Sequence, residues 1–286
     1  MDDYVIRILA KEAGIRGLVA LTTQISEEAC ERHKVTSDAA ITLAEGMTSA
    51  ALLGALLKMR QRVSIKFEGD GPLGPMVVDS TSHGLVRGYV THPEANGSTN
   101  SGEMLGQSGV LTVAKDLRLK DIYKGVTKRS GTIDHDITEY LNTSEQIPSF
   151  VSIGAELNDD GRLAISGGLL VQSLPPYDDS LVNQIKERMY ELPPIGAMLK
   201  EGKTPEEIAA LAFGDIEYRI IEKRWLFFHC QCSRERSEEA LMSLGPVELK
   251  SLIEEQEEVV IDCHFCHEEY RFSSEDLQGL IAAIES

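Results

Sequence analysis

Four cysteines near the end of the chain constrain its fold more than any other feature. The sequence reads Cys-Gln-Cys at 230–232, then thirty other residues, then Cys-His-Phe-Cys at 263–266. Zinc prefers tetrahedral sulfur and nitrogen ligands, and a two-residue gap lets a tight turn present both thiolates to one ion. Side chains two apart in an extended strand also share a face. The spacing predicts one structural Zn²⁺ per chain, with no open position for a substrate, held by Cys230, Cys232, Cys263 and Cys266.

The segment that carries these cysteines, residues 230–286, is too short to bury a large apolar core. We therefore expect it to need a bound metal ion or a disulfide in order to fold. Zinc binding can contribute on the order of 10 kcal/mol to folding. The segment holds fourteen acidic and four basic residues, so loss of the cation strengthens its self-repulsion. Clustered thiolates are also oxidisable. The site therefore favours a switch in which oxidation converts order into disorder.

Other interpretations of the cysteines remain open from the residues alone. The segment could be a plain zinc ribbon that only stabilises the C-terminal part, or four thiols that bind no metal. His229, His264 or His267 could each replace one cysteine as a ligand. Four sulfurs are the simplest set, because a lone histidine beside a metal site more often supports the ligands than joins them.

The rest of the chain reads as an α+β domain with a largely antiparallel sheet, over residues 1–175. Apolar residues alternate with polar ones at 63–67, and turn residues at 80–84 and 158–161 indicate hairpins. Helices are expected at 26–34, 37–58 and 133–142, and 92–109 reads as a mobile loop. A helical connector is predicted over 176–229, with a capped helix start at Thr204, Pro205, Glu206 and Glu207, and the cysteine domain over 230–286.

Charge and hydropathy exclude some partners. The net charge is −18 and the pI is near 4.8, a balance that repels nucleic-acid backbones and anionic membranes. The apolar stretch 39–57 includes Glu45, which is costly in lipid, and is better interpreted as a buried core helix. Two acids follow Met1 where a secretory signal has bases. We expect a cytoplasmic protein with neither a nucleic-acid nor a membrane partner.

Four segments together resemble one known family. They are GDGPLGPMVVDS at 69–80, ISGGLLVQSLP at 165–175, KTPEEI at 203–208, and HCQCSRER at 229–236 together with CHFC at 263–266. In motif, length and domain order the chain is similar to the redox-regulated heat shock protein 33 family. The resemblance covers essentially the whole chain. It implies a holdase chaperone that works without ATP and is not an enzyme.

The resemblance also implies a mechanism. The reduced protein binds zinc and is inactive or weakly active. Oxidants form the disulfides Cys230–Cys232 and Cys263–Cys266, release zinc, and unfold the cysteine domain and the connector. The oxidised form is a homodimer that captures unfolding client proteins. Cys30 lies outside this pattern and is expected to be a buried, inert thiol.

The connector supplies the expected client surface. Leu181, Val182, Ile185 and Met189 share one helix face at 3.6-residue spacing, and Trp225, Leu226, Phe227 and Phe228 follow as an apolar run. A segment whose order depends on docking exposes this surface when the docking fails. Ordinary core packing explains each residue equally well, and both interpretations hold if the surface is buried in one state and binds in the other.

Two alternative functions fit the sequence less well than a chaperone does. A zinc enzyme normally keeps an open metal position, and the deaminase pattern needs a proline before its Cys pair, which neither pair here has. A zinc-ribbon nucleic-acid-binding module needs a basic stripe with stacking aromatics, whereas this cysteine region is acidic.

Overall fold

The computed structural model describes residues 2–129 and 131–285, which divide into two compact units with the boundary between His229 and Cys230. The expected connector, 176–229, belongs to the first unit and is not a separate body, because its helices pack on the sheets of the core. The connector is helical up to Phe213 and then contributes two strands, in the part (216–228) where the sequence also favours extended structure. None of the helices in the described ranges has the length and apolar character that a membrane crossing needs.

Thirteen strands and ten helices occur among the described residues. The strands are β1 (Tyr4–Ala10), β2 (Ile15–Leu21), β3 (Arg62–Gly69), β4 (Met76–Thr81), β5 (Leu85–Val90), β6 (Gly109–Asp116), β7 (Tyr123–Arg129), β8 (Ser149–Leu157), β9 (Leu163–Ser173), β10 (Arg219–Trp225), β11 (Phe227–Phe228), β12 (Glu258–Asp262) and β13 (Glu269–Ser273). The helices are α1 (Thr23–His33), α2 (Ser37–Ala55), α3 (Ser101–Leu105), α4 (Ile133–Thr143), α5 (Ser180–Glu191), α6 (Ile195–Lys200), α7 (Pro205–Phe213), α8 (Arg234–Met242), α9 (Pro246–Glu255) and α10 (Ser274–Glu285).

A five-stranded antiparallel sheet in the order β10-β1-β2-β9-β8 forms one half of the first unit. Both of its faces are covered. Val5, Leu18 and Leu170 point into a core shared with α1 and α2, whereas their neighbours Ile6 and Val19 point into a second core. The strands are therefore apolar on both sides.

The second core is where the connector docks. Its members from the connector lie on α5, α6 and α7 and pack against β1, β2, β8 and β9. Gly17 of β2 permits close approach, since a Cβ added there would lie 2.8 Å from the ring of Phe213 on α7. The connector residues in this core are Val182, Ile185, Met189, Ile195, Met198, Leu199, Ile208, Ala209, Ala212 and Phe213.

A six-stranded sheet in the order β11-β5-β4-β3-β6-β7 forms the other half of the first unit. Its pairings are antiparallel except for β11 with β5. Val63, Ile65 and Phe67 all enter the first core, as their alternation indicated. The predicted α+β class with a largely antiparallel sheet is confirmed, as is the interpretation of 39–57 as a core helix, since α2 is buried along nearly its whole length. The segment 92–109, expected to be a loop, contains the short helix α3, which Asn100 caps.

The second unit consists of the β12–β13 hairpin and the helices α8, α9 and α10. Its core is small, with six buried apolar side chains: Leu241, Leu249, Val259, Phe272, Leu277 and Ile281.

Candidate metal centre

The second unit brings four thiols together. The sulfur atoms of Cys230, Cys232, Cys263 and Cys266 all lie within 4.8 Å of one another. Two of these sulfur contacts join the two motifs: Cys230 to Cys263 at 3.6 Å and Cys232 to Cys266 at 3.4 Å. Zn–S bonds of about 2.3 Å in a tetrahedron put neighbouring sulfurs about 3.8 Å apart. The four thiols are therefore close to the arrangement that one zinc ion requires.

A tight turn between β12 and β13 presents the second pair of cysteines. The Cys263 N–H donates to the Glu268 carbonyl at 3.0 Å, and the N–H groups of Cys266 and His267 donate back to the Cys263 carbonyl at 3.1 and 2.8 Å. His267 closes the turn with φ of 55°, in the left-handed region that few non-glycine residues adopt. Both thiols of the Cys-x-x-Cys motif thus point to one side of the hairpin end, as a two-residue gap allows.

The first pair lies in a segment without regular secondary structure, directly before α8. The strand geometry considered for Cys230 and Cys232 is not present here, because β11 ends at Phe228 and the side chain of Ser233 already caps α8 by accepting from the Arg236 N–H at 3.3 Å. Because the cap at Ser233 holds the chain directly after Cys232, the irregular segment still has a fixed direction for its two thiols.

The environment of the sulfurs favours a bound cation. Burial raises the pKa of Cys263 and of Cys266; the Cys230 sulfur raises that of Cys263 further, and the other three sulfurs raise that of Cys266. Four thiols this close cannot all ionise without a compensating positive charge, whereas a coordinated divalent metal deprotonates thiols outright. Cys230, Cys232 and Cys263 are half-buried and Cys266 is buried. The donor set and its surroundings therefore fit zinc, which would be held by these four residues.

The three nearby histidines are not part of the cluster of ligand atoms found among the described residues. His267 instead places Nδ1 at 2.8 Å from an Asp262 carboxylate oxygen. This carboxylate–histidine contact borders the site, and the four sulfurs form the candidate ligand set, which is the simplest set that the sequence allows.

Comparison with known proteins places the chain in a family. The family model described as Hsp33 protein matches residues 3–273. The chain belongs to the Hsp33 family. The 33 kDa chaperonin of Geobacter sulfurreducens is 43% identical, over 98% of this chain and 95% of that protein. The 33 kDa chaperonin of Geobacillus kaustophilus is 37% identical, over 98% of each chain.

A solved structure has the same fold. The crystal structure of the 33 kDa chaperonin of Thermotoga maritima, a heat shock protein 33 homologue, matches with a TM-score of 0.88 and 28% identity. The match covers 100% of this chain and 99% of that one. Membership of the Hsp33 family, whose curated members carry the name of a chaperone, supports a chaperone function for this chain.

Two residues of the Hsp33 centre have roles that the sequence did not reveal. The Tyr270 hydroxyl donates to the Cys232 sulfur at 3.2 Å, and this hydrogen bond raises the pKa of Tyr270. The Arg234 guanidinium lies 4.4 Å from the centre of the Phe272 ring and donates to the Arg271 carbonyl at 2.7 Å. Arg234 is part of the sequence motif around Cys232, but its position there does not predict that its side chain connects α8 to β13.

Cys30, the cysteine outside the centre, lies on α1 against the first core. Burial raises its pKa to about 12, with smaller contributions from Glu27 and Glu31. A thiol with so high a pKa is neutral at physiological pH and a poor nucleophile, in keeping with the expectation of an inert residue.

The structure divides the expected client surface into a buried and an exposed part. Val182, Ile185 and Met189 are buried in the second core, and Leu181 is half-buried against it. Trp225 and Phe227 are 47% and 58% exposed, and Phe228 is half-buried. The helix face and the aromatic run are thus in different environments.

Proposed function

We propose that this chain is a cytoplasmic holdase chaperone, regulated by oxidation and independent of ATP. The reduced protein binds one zinc ion and is inactive. Oxidation forms Cys230–Cys232 and Cys263–Cys266 disulfides, releases zinc, and allows a homodimer to capture unfolding proteins. The observation that carries this proposal is the clustering of four thiols, within 4.8 Å of one another, in a unit with only six buried apolar side chains.

The small core makes the second unit dependent on metal. A core of six buried apolar side chains is small for a unit of this length, and units with so little apolar burial usually need a metal ion or a disulfide in order to fold. Metal coordination contributes on the order of 10 kcal/mol in units of this size. Removing the ligands therefore removes a contribution that the rest of the unit cannot replace.

The redox chemistry balances with peroxide as the oxidant. Each disulfide takes two thiolates, gives two electrons to hydrogen peroxide, and with two protons yields two water molecules. Two disulfides consume all four ligands, and Zn²⁺ leaves. The acidic surroundings, fourteen acids against four bases in 230–286, then lose their divalent counter-charge and repel one another more strongly.

The connector is suited to respond to zinc release because its helices are ordered by docking on the five-stranded sheet. Its helix α5 is amphipathic, and Val182, Ile185 and Met189 are covered by the five-stranded sheet. A docked apolar face becomes an apolar binding surface once it is released. We assign client binding to this face, together with Leu181 and the aromatic run of Trp225, Phe227 and Phe228.

A polar contact at β10 helps to hold the connector in the docked state. The Tyr4 hydroxyl of β1 donates to Glu206 of α7 at 2.7 Å, and the Lys223 ammonium lies 3.6 Å from the same carboxylate. The ammonium also lies 3.5 Å from the centre of the Tyr4 ring. These contacts join β1, α7 and β10, and β10 leads within five residues to Cys230, so disorder that begins at the metal centre can spread along the chain into the connector.

The test is suppression of aggregation, followed by light scattering of a thermally unfolding model protein. The reduced, zinc-loaded chain should suppress little, and the peroxide-treated chain should suppress strongly without added ATP. Cys30→Ser is the matched control and should behave as the parent does. Equal suppression before and after peroxide in the parent chain would refute regulation by oxidation.

The pairing and the assembly state are tested separately. Peptide mapping of the oxidised chain should find the two within-motif disulfides, and sedimentation should find a dimer. The mapping is informative because sulfur contacts of 3.6 and 3.4 Å also join the two different motifs in the reduced arrangement. Cross-motif disulfides would contradict the proposed pairing while leaving zinc release intact.

A further inference from the structure

A cavity of 460 Å³ lies in the first unit, and no cysteine lines it. It is formed where β2 and the loop after α2 face the ends of β6 and α4, and Tyr123 of β7 contributes one side. Small-molecule sites commonly enclose about 300–1,000 Å³ and combine an apolar lining with a few convergent polar groups. The size of this cavity falls in that range.

The charges that line the cavity are opposite to those of the whole protein. Arg16, Lys58 and Lys115 contribute three cations against one carboxylate, Glu145, although the chain carries a net charge of −18. Glu145 is already engaged, since the same oxygen accepts from Lys115 and, at 2.6 Å, from the Tyr140 hydroxyl. Arg16 and Lys58 therefore remain as the two cations of the cavity that form no ion pair with the described residues, although the Glu145 charge acts on Arg16 from a greater distance.

Arg16 is half-buried and is held by a neutral partner. Its Nε and Nη2 both donate to one Gln172 oxygen, at 3.0 and 2.7 Å, and it forms no ion pair with any carboxylate in the part of the chain that the structure describes. Burial and the neighbouring Arg7 charge lower the pKa of Arg16. A partly buried guanidinium of this kind gains most from an anion, because its desolvation is not yet offset by an opposite charge at hydrogen-bond distance.

Lys58 lies in a braced loop beside the same cavity. The Lys58 N–H donates to the Gln61 side-chain oxygen at 2.9 Å, and the Gln61 amide donates to the Leu117 carbonyl at 3.1 Å. The loop after α2 is thereby fixed to the end of β6, while the Lys58 ammonium is exposed and forms no ion pair with the described residues. Leu56, Leu57 and Leu117 add apolar lining, and Tyr123 adds an aromatic ring.

We propose that this cavity binds a small organic anion whose carboxylate or phosphate meets Arg16 and Lys58 and whose apolar or aromatic group packs on Leu57, Leu117 and Tyr123. Two cations without an ion-pair partner among the described residues, beside leucine and tyrosine side chains in the same cavity, match a ligand that is charged at one end only. The site is independent of the cysteines, so it binds whether or not the proposed redox switch operates.

The experiment is calorimetric titration of the reduced, zinc-loaded full chain with three probes that share a phenyl ring. Phenyl phosphate and phenylacetate carry the two candidate charged groups, and 2-phenylethanol carries none. Arg16→Gln and Lys58→Gln each remove one cation from the cavity. Lys128→Gln is the matched control, because Lys128 is an exposed cation on β7 that does not line the cavity.

We expect saturable binding of at least one anion, weaker binding of the alcohol, and about tenfold or greater weakening in Arg16→Gln and Lys58→Gln, with Lys128→Gln unchanged. The anion that binds more tightly identifies the charged group of the ligand. Lys58 is exposed, so Lys58→Gln keeps the test valid even if Arg16→Gln fails to fold. Absence of saturable binding at millimolar probe, equal binding of the alcohol, or equal weakening in Lys128→Gln would overturn the proposal.

Discussion

Single side chains in this protein show how environment decides the chemistry of a thiol. Cys30 packs against an apolar core that disfavours its thiolate, and its pKa rises to about 12. The four cysteines of the second unit face one another across distances that suit a cation. The same functional group is therefore expected to be inert in one place and to bind metal in the other.

The first prediction concerns the reactivity of Cys30. At pH 8 a thiol with a pKa of about 12 is ionised in only about one molecule in ten thousand. Iodoacetamide should therefore leave Cys30 unmodified in the native chain, while Cys230, Cys232, Cys263 and Cys266 react after chelation of zinc. Mass spectrometry reads out each site, and guanidinium-unfolded protein is the control in which Cys30 should react. Fast alkylation of native Cys30 would show that its environment is not the one described.

A second residue-scale prediction concerns Glu45 on α2. Burial raises its pKa to about 8, with a further contribution from the Asp134 charge and an opposing one from a hydrogen bond with Ser101. The folded state thus keeps a proton that the unfolded state releases above about pH 4.5. The contribution of this group to the free energy of unfolding is fully present below that pH and is lost as the pH rises towards 8.

Glu45→Gln tests whether the Glu45 carboxyl group lowers the free energy of unfolding as the pH rises. The variant should be more stable than the parent at pH 8, and its free energy of unfolding should fall less between pH 5 and pH 8 in denaturant titrations. Glu31→Gln, on the exposed surface of α1, removes the same charge and serves as the control. An identical pH slope in the parent and in Glu45→Gln would contradict the assigned burial of this carboxyl group.

At the scale of elements, some helices and strands could be predicted because the sequence patterns that specify them lie within a few residues. The capping residues at Thr204 and Glu207 predicted the start of α7, and the alternation over 63–67 predicted β3. The strands β1 and β2 escaped notice because both of their faces are buried, which removes the alternation. The edge strand β7 carries mostly exposed side chains, so it gave no core-facing pattern either.

The third prediction uses the cap of α7. The Thr204 hydroxyl accepts from the Glu207 N–H at 3.2 Å, and the Glu207 carboxylate accepts from the Thr204 N–H at 2.8 Å. Thr204→Ala removes half of this capping box at a cost of about 1 kcal/mol. Because α7 carries Ile208 and Phe213 into the second core, amide hydrogen exchange in α7 should speed up about fivefold in the reduced protein.

Asn100→Ala is the control for this prediction. The Asn100 side chain caps α3, in the same unit, by accepting hydrogen bonds from two backbone N–H groups. The variant therefore removes a comparable interaction outside the connector. We expect faster exchange at α3 and unchanged exchange at α7. If both variants changed α7 equally, the effect would reflect global destabilisation, and the docking of the connector would not be a separate element.

On the scale of the whole molecule, the chain has two units with different sources of stability. The first unit holds two extensive apolar cores, whereas the second holds six buried apolar side chains and four clustered thiols. The clustering of the four cysteines could be predicted because cysteine spacing is a property of the sequence. The contacts of Tyr270 with the Cys232 sulfur and of Arg234 with the Arg271 carbonyl could not be predicted, because they exist only once β13 and α8 have formed.

The fourth prediction is a selective loss of order on metal removal. Chelation of zinc from the reduced chain should remove protection from hydrogen exchange throughout 230–285 and leave the first core protected, because the apolar core of the second unit is too small to hold it folded alone. Cys263→Ser should give the same pattern without chelator, and Cys30→Ser should not. Protection that persists in 230–285 after complete chelation would mean that metal does not stabilise this unit.

The most direct test of the central claim is to measure bound zinc and free thiols on the same sample during a peroxide titration. The account predicts one zinc per chain at the start and none once four thiols are lost, with the two quantities falling together and Cys30 retained. Zinc that stays bound after those four thiols have been oxidised would contradict it.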